Sequence, residues 1–330
     1  MTSAAEEFIR LDDVEKVFDV RRKTGFMRRE RREVRAVDSL SFAVRRGEMV
    51  GYIGPNGAGK STTIKMLTGI LTPSAGRVRV AGIDPSRERA RLAQRMGVVF
   101  GQRTTLWWDL PLIDSYRLMR RMYRIEERRY AENLERCVEL LDLGDLLDAP
   151  VRQLSLGQRM RGDIAAALLH DPEVLYLDEP TIGLDVVSKV KVRGFLRDLN
   201  TERGTTVLLA THDLTDIEQL CRRVMVIDHG RLMYDGELEG LHEASTGGDP
   251  AERTLVVDLE RELPPLDIEF TRVVKVEGAR QWLAFPAGRS AAPLVARIAE
   301  RYPMVDLSVR EPDIEAVIAR MYARDTSVAP

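Results

Sequence analysis

The residues best suited to chemistry in this 330-residue chain lie in one nine-residue stretch, Gly54-Pro55-Asn56-Gly57-Ala58-Gly59-Lys60-Ser61-Thr62. It has the full spacing of a phosphate-binding loop. A polyphosphate carries several negative oxygens at short range, and backbone amides can crowd around them where bulky side chains cannot. Gly54, Gly57 and Gly59 let the main chain curl into a nest of inward N–H groups at a helix N-terminus. Lys60 adds a mobile point charge for the outer phosphates, and the Ser61 hydroxyl is a hard oxygen ligand for Mg²⁺. An acidic pair, Asp178-Glu179, follows the apolar run 174–177. Adjacent residues at a strand tip diverge, so Asp178 can face a metal while Glu179 faces water as a general base.

Those groups need elements to hold them. The apolar run 49–53 reads as a strand delivering the loop, and residues 63–67 as the helix that leaves it. Residues 8–18 read as an edge strand and 34–44 as a second strand, separated by a solvated basic insertion over 21–35. That insertion carries Arg21, Arg22, Lys23, Arg28, Arg29, Arg31, Arg32 and Arg35, and anionic lipid or an acidic partner loop is its sharper reading. Helical periodicity is expected over 87–95, 110–147, from Leu154 to His170, and over 186–202 and 214–221. Strands are expected at 174–177, 205–210, 223–228 and 231–234. This alternation gives a largely parallel sheet covered by helices. Residues 241–252 are linker-like. Residues 253–330 then read as a small α+β domain with strands near 254–259, 270–276, 281–285 and 305–310 and helices at 292–302 and 313–324.

Composition narrows the classes. Hydrophobic residues make up 44% of the chain and charged residues 31%, with a net charge of −2. That balance gives no reason to expect nucleic acid as a partner. The longest purely apolar run, 164–169, is far short of the roughly 20 residues a membrane span needs. The N-terminus lacks a signal-peptide pattern. Cys137 and Cys221 have no metal or disulfide spacing, which fits a reduced cytoplasmic setting.

Leu154-Ser155-Leu156-Gly157-Gln158 sharpens the reading. It resembles the signature sequence of ABC ATPases, and with the phosphate loop, Asp178-Glu179, Gly183-Leu184-Asp185 and His212 the chain resembles that family from residue 8 to about 235. The resemblance implies an α/β P-loop NTPase fold: an ABC nucleotide-binding domain over 1–240, its RecA-like core carrying a helical subdomain at about 103–165. It implies ATP and Mg²⁺ as cofactors and hydrolysis between two facing ATPase subunits. Ser155, Gly157 and Gln158 would close on the γ-phosphate held by the partner. Gln102 would be the Q-loop glutamine near metal and water, His212 the switch histidine and Asp185 the D-loop aspartate. Leu156 departs from the glycine usual at its position. Phe18 lies where the family places its adenine-stacking aromatic, with Phe26 or a plain core role for Phe18 as alternatives.

Among ABC proteins the chain resembles ATP-binding subunits of ABC-2 type exporters, the daunorubicin, sodium and viologen group. Three stretches carry this: Phe100-Gly101-Gln102-Arg103-Thr104 with Trp107-Trp108, Thr181-Ile182-Gly183-Leu184-Asp185, and the ending Arg310-Glu311-Pro312-Asp313-Ile314-Glu315-Ala316-Val317. The resemblance implies a peripheral protein on the cytoplasmic face of the cell membrane. It would pair with a second ATPase subunit, a copy or a relative, and with separate permeases contacting Gln102, Trp107 and Trp108. An importer subunit or a non-transport ABC ATPase would share the catalytic residues.

Overall fold

A computed structural model describes residues 7–23, 29–101, 103–241, 252–286, 288–310, 317–318 and 321–322, with the backbone alone at 21–23 and 29–31. The chain divides into two compact units, Met1–Gly236 and Glu237–Pro330.

The first unit opens with β1 (Glu7–Lys23) and β2 (Arg29–Arg45), followed by β3 (Met49–Ile53), α1 (Lys60–Leu67) and β4 (Ala75–Val80). Next come α2 (Arg89–Ala93), β5 (Met96–Phe100), α3 (Leu112–Tyr123), α4 (Glu127–Leu140) and α5 (Leu156–Leu168). The unit ends with β6 (Val174–Asp178), α6 (Val186–Arg203), β7 (Thr206–Ala210), α7 (Leu214–Leu220), β8 (Arg223–Asp228) and β9 (Arg231–Glu237).

Six strands form one sheet in the order β5-β6-β7-β3-β8-β9, and the pairs from β5 through β8 are all parallel. Parallel strands buried on both faces must be apolar throughout. Val174, Leu175, Tyr176 and Leu177 in β6, and Val207 to Ala210 in β7, are fully buried. The C-terminal ends of β5, β6, β7 and β3 share one edge, where α/β sheets bind ligands.

β1, β2 and β4 form a separate antiparallel sheet in the order β2-β1-β4. The expectation of an edge strand at 8–18 is therefore corrected: β1 is central, paired on one side to β2 and on the other to β4. Period-two alternation marks a strand but not its neighbours. The basic stretch is no insertion between two strands either, because β1 and β2 run in register to Lys23 opposite Arg29. The helical stretch 110–147 is two helices. Arg124 takes a left-handed conformation (φ 54°) at the end of α3 and turns the chain into α4.

The second unit is a four-stranded sheet, ordered β11-β12-β10-β13, made of β10 (Glu252–Leu259), β11 (Arg272–Glu277), β12 (Arg280–Pro286) and β13 (Met304–Arg310). Its core joins Leu255, Val257, Leu283 and Phe285 to Leu294 and Ile298 of α8 (Ala292–Arg301). Residues 311–316 of the expected C-terminal motif, most of the helix expected over 313–324 and residues 242–251 of the expected linker lie outside the described residues.

Candidate functional site

The loop 54–59 hangs between β3 and α1, and its glycines are demanded in two ways. Gly57 and Gly59 have φ of 89° and 105°, a region most side chains avoid. A Cβ on Gly54 would stand 2.6 Å from the Ile227 carbonyl oxygen of β8. The loop is tied down by Ala58 N–H donating to Pro55 O (3.1 Å) and Gly230 N–H donating to Ala58 O (3.0 Å). Lys60 is buried; its ammonium donates to Gly54 O and to Pro55 O (3.2 Å). Burial lowers its pKa, against the pull of Glu179 and Asp178. Pro55, Asn56, Gly57, Gly59, Lys60, Ser61 and Thr62 line a cavity of about 440 Å³ whose far wall is Asp178, Glu179, Phe100, Gly101 and Arg103.

The two carboxylates at the tip of β6 do diverge. Asp178 Oδ2 accepts from the Ser61 hydroxyl at 2.8 Å. Burial raises the Asp178 pKa and the Glu179 charge adds to this, while the Ser61 bond opposes it. Glu179 takes φ 58°, which turns its side chain away toward β7. There Oε2 lies 2.7 Å from His212 Nδ1 and accepts from the Thr211 hydroxyl at 3.2 Å, and Oε1 accepts from His212 N–H at 3.1 Å. A left-handed non-glycine residue costs about 1–3 kcal/mol and persists where its surroundings over-determine it. These bonds, with Glu179 N–H donating to Ala210 O (2.8 Å), supply that restraint.

Gln102 lies outside the described residues, but both its flanks are fixed. Gly101 N–H donates to Asp178 O at 2.7 Å. Downstream, Asp163 Oδ1 in α5 accepts from the Thr104 hydroxyl (3.0 Å), Thr105 N–H (2.8 Å) and the Thr105 hydroxyl (3.0 Å). Burial raises the Asp163 pKa against those three bonds.

Ser155 and Gln158 form a reciprocal cap on α5: Gln158 N–H donates to Ser155 Oγ (3.2 Å) and Ser155 N–H to Gln158 Oε1 (2.9 Å). Gly157 is close to Leu184, and a Cβ on Gly183 would fall 2.2 Å from Leu156 Cδ2. The start of α5 thus packs on the turn that precedes α6. Asp185 caps α6 through Ser188 N–H (2.8 Å) and the Ser188 hydroxyl (2.9 Å), bonds that lower its pKa. Phe18 is half-buried on β1 with the Lys16 ammonium 5.2 Å from its ring centroid, and it does not line the 440 Å³ cavity. Phe26 lies outside the described residues. Trp107 and Trp108 are 38% and 50% exposed. Trp108 has the Arg159 guanidinium 5.3 Å from its ring and borders a separate cavity of about 160 Å³ with Gly101, Leu156 and Asp163.

Sequence reasoning missed Thr211, Gly101 and Asp163. Thr211 stood beside His212 in the Thr-His-Asp run after β7, and a buried hydroxyl next to a candidate switch residue was a readable signal. Gly101 stood in the Phe100–Thr104 stretch without a role of its own, and Asp163, acting across 58 residues of sequence, left no signal. A buried triad was equally silent: Asp216 accepts from Thr181 Oγ1 (2.5 Å) and Arg193 Nε (2.6 Å), fixing the segment after Glu179 against α6 and α7.

Among the described residues no group of three or more His, Cys, Asp or Glu side chains could hold a metal. The hydroxyl–carboxylate pair Ser61–Asp178 suits instead a hard cation that keeps most of its ligands as water and phosphate oxygen. Among the described residues no helix is long and apolar enough to cross a membrane.

Comparison with known proteins agrees with this geometry. A family model described as ABC transporter matches residues 37–182. The chain is 41% identical over 65% of its length to daunorubicin resistance ATP-binding protein DrrA3 of Streptomyces coeruleorubidus, covering 67% of that protein. It is 34% identical to Nod factor export ATP-binding protein I of Ralstonia nicotianae, covering 91% of this chain and 92% of that one. Among solved structures, the dimeric post-hydrolysis state of an ATP-binding cassette bound to ADP and Pi matches at 26% identity with a TM-score of 0.61, over 70% of this chain and 98% of that one.

Proposed function

Because the chain belongs to the family of ABC transporter ATP-binding proteins, we propose that it is the ATP-hydrolysing subunit that powers efflux through separate permeases. The name of one relative, a Nod factor export protein, supports that direction, and the drug-resistance name of another is compatible with it. The observation that carries the hydrolytic part is the fixed Glu179 carboxylate, held by Thr211 and His212 on the wall facing the phosphate loop. In this reading the loop amides 54–59 and Lys60 bind the ATP phosphates, and Glu179 takes a proton from the attacking water while His212 orients it. Ser61 and Asp178, joined by Gln102 on the strength of the sequence resemblance, would hold Mg²⁺, which would supply charge neutralisation on the phosphates. Phe18 stacks on adenine.

Ser155, Gly157, Gln158 and Asp185 act across a dimer of two such subunits, in which each signature turn completes the partner's site. Residues 1–240 form the ATP-binding domain, with the helical subdomain near 103–165, and 253–330 form the small α+β domain beyond a linker. In the same reading the exposed Trp107-Trp108 pair beside the 160 Å³ cavity is the permease contact, and the subunit works at the cytoplasmic face of the membrane. Large exposed aromatics are typical anchors of an interface.

The test is Glu179→Gln. ATP binding should persist while hydrolysis falls roughly 10²–10⁴-fold, the usual share of a general base. With ATP present, the tagged variant should recover membrane-embedded permeases from native membranes. Hydrolysis at the native rate would refute the assignment of the base, and recovery of soluble partners alone would refute the transport role.

A further inference from the structure

The pairing of β1 with β2 continues well beyond the sheet that roots it. β4 pairs with β1 only from Ile9 to Glu15, whereas β1 and β2 stay paired out to Lys23 and Arg29. At about 3.3 Å per residue, residues 16–23 carry the ribbon about 25 Å past its last pairing with β4. Lys16 and Val17 still bond the 72–74 turn. Past them Asp19, Val20 and residues 32–35 are exposed, with Val20 at 45% and Val34 at 41%. A two-stranded ribbon that buries so little is marginal by itself.

Its charge pattern makes it more so. The paired residues 19–23 and 29–33 contain six basic residues (Arg21, Arg22, Lys23, Arg29, Arg31, Arg32) and three acidic ones (Asp19, Glu30, Glu33), a local net charge of +3 in a chain whose total is −2. The register sets Arg21 opposite Arg31 and Lys23 opposite Arg29. Like charges directly opposite weaken an antiparallel pair, so an external anionic phase would steady this end of the ribbon. Strand alternation puts Arg22 and Arg32 on one face and Arg21, Lys23, Arg29 and Arg31 on the other. Basic residues spread over both faces of a projecting ribbon fit a diffuse anionic plane better than the concave, stereospecific receptor an acidic peptide needs.

We propose that the distal β1–β2 ribbon is an electrostatic contact for anionic phospholipid head groups, holding the subunit against the bilayer. The inference rests on the transporter reading, which supplies the bilayer. Basic residues near an anionic surface each contribute about fivefold to partitioning.

The experiment is sedimentation of the full-length protein with phosphatidylcholine vesicles and with vesicles containing phosphatidylglycerol. The native chain is compared with the fourfold variant Arg21→Gln, Arg29→Gln, Arg31→Gln, Arg32→Gln. The native chain should sediment only with the anionic vesicles, and added salt should release it. The variant should bind them roughly 600-fold more weakly, with native ATP hydrolysis as the control for folding. Equal binding of both proteins, or no binding of the native chain at low salt, would overturn the proposal. So would ribbon-dependent binding to polyglutamate or duplex DNA without vesicle binding. Permease recovery by Glu179→Gln is a separate readout: if it succeeds while vesicles fail, the lipid contact falls and the transport role stands.

Discussion

Gly101→Ala is the most discriminating perturbation of this site. Gly101 follows β5, and an added Cβ would sit 2.7 Å from Glu179 O, 2.8 Å from Asp178 O and 3.0 Å from Glu179 Cβ. Ordinary van der Waals contact begins near 3.4 Å, so relief demands displacement by 0.4–0.7 Å. All three obstacles are backbone or Cβ atoms of the two carboxylate residues, so no flexible side-chain end can swing aside. Gly101 is not in the left-handed region, and the effect is steric rather than conformational. Overpacking of this kind costs about 1–3 kcal/mol. Misplacement of a catalytic group by 1 Å costs on the order of a hundredfold in rate, so half that displacement predicts roughly a tenfold loss of kcat. ATP affinity should change little, because the loop proposed to bind phosphate hangs from β3, two strands away from β6. Steady-state hydrolysis with equilibrium ATP binding and denaturant unfolding separates these terms. Native turnover together with native stability would refute the argument that the approach of β5 to β6 fixes the base.

Two other residues give sharper tests than truncation alone. All three bonds to Asp163 end on Oδ1, and burial already disfavours its charge. Asp163→Asn should therefore unfold at or above the native denaturant midpoint, while Asp163→Ala, which strands three donors, should lose about 2–3 kcal/mol; equal loss in both would refute this. Glu173 is held by Arg95 first and then by Arg46, which depress its pKa from 4.5 to about 2. A depressed carboxylate stabilises the fold above its unfolded pKa and loses that contribution as pH falls through its folded one. Its side chain is 34% exposed, so after allowance for screening the contribution is about 1–2 kcal/mol. The stability difference between the native chain and Glu173→Gln should shrink as pH drops from about 4.5 toward about 2, and a difference that stays constant would sink the assignment.

What was legible in the sequence was local. The phosphate loop announces itself because its glycines and Lys60 are contiguous, and Asp178-Glu179 and His212 because each ends a short apolar run that can only be a buried parallel strand. The approximate extents of α6, α7 and β8 follow from the same alternation, and the structure closes α6 with caps at Asp185 and Gly204. The place of β1 was not legible. Its partner β4 arrives only after β3, the phosphate loop and α1, and alternation in residues 8–18 is equally compatible with an edge or a centre. The long ribbon was hidden for a related reason: charge runs read as loops, yet the pairing from Phe18 and Val34 outward continues through them.

The illegible contacts are also the ones that tie the site together. Gly101 N–H bonding Asp178 O ties the residue after β5 to the tip of the neighbouring parallel strand β6, a backbone contact that no side-chain motif would record. From Thr104 the chain is clamped to α5 by Asp163, and α5 begins at Ser155 and packs through Leu156 on Gly183. Packed groups therefore link the carboxylate tip of β6 to Gly101, and the Thr104-Thr105 segment through α5 to the turn before α6. Leu156, standing where the family usually has glycine, is the side chain that closes this circuit on Gly183. Gly183→Ala would place a Cβ 2.2 Å from Leu156 Cδ2 and strain a residue at φ 73°, so its damage should be felt at the start of α5 as well as in its own turn.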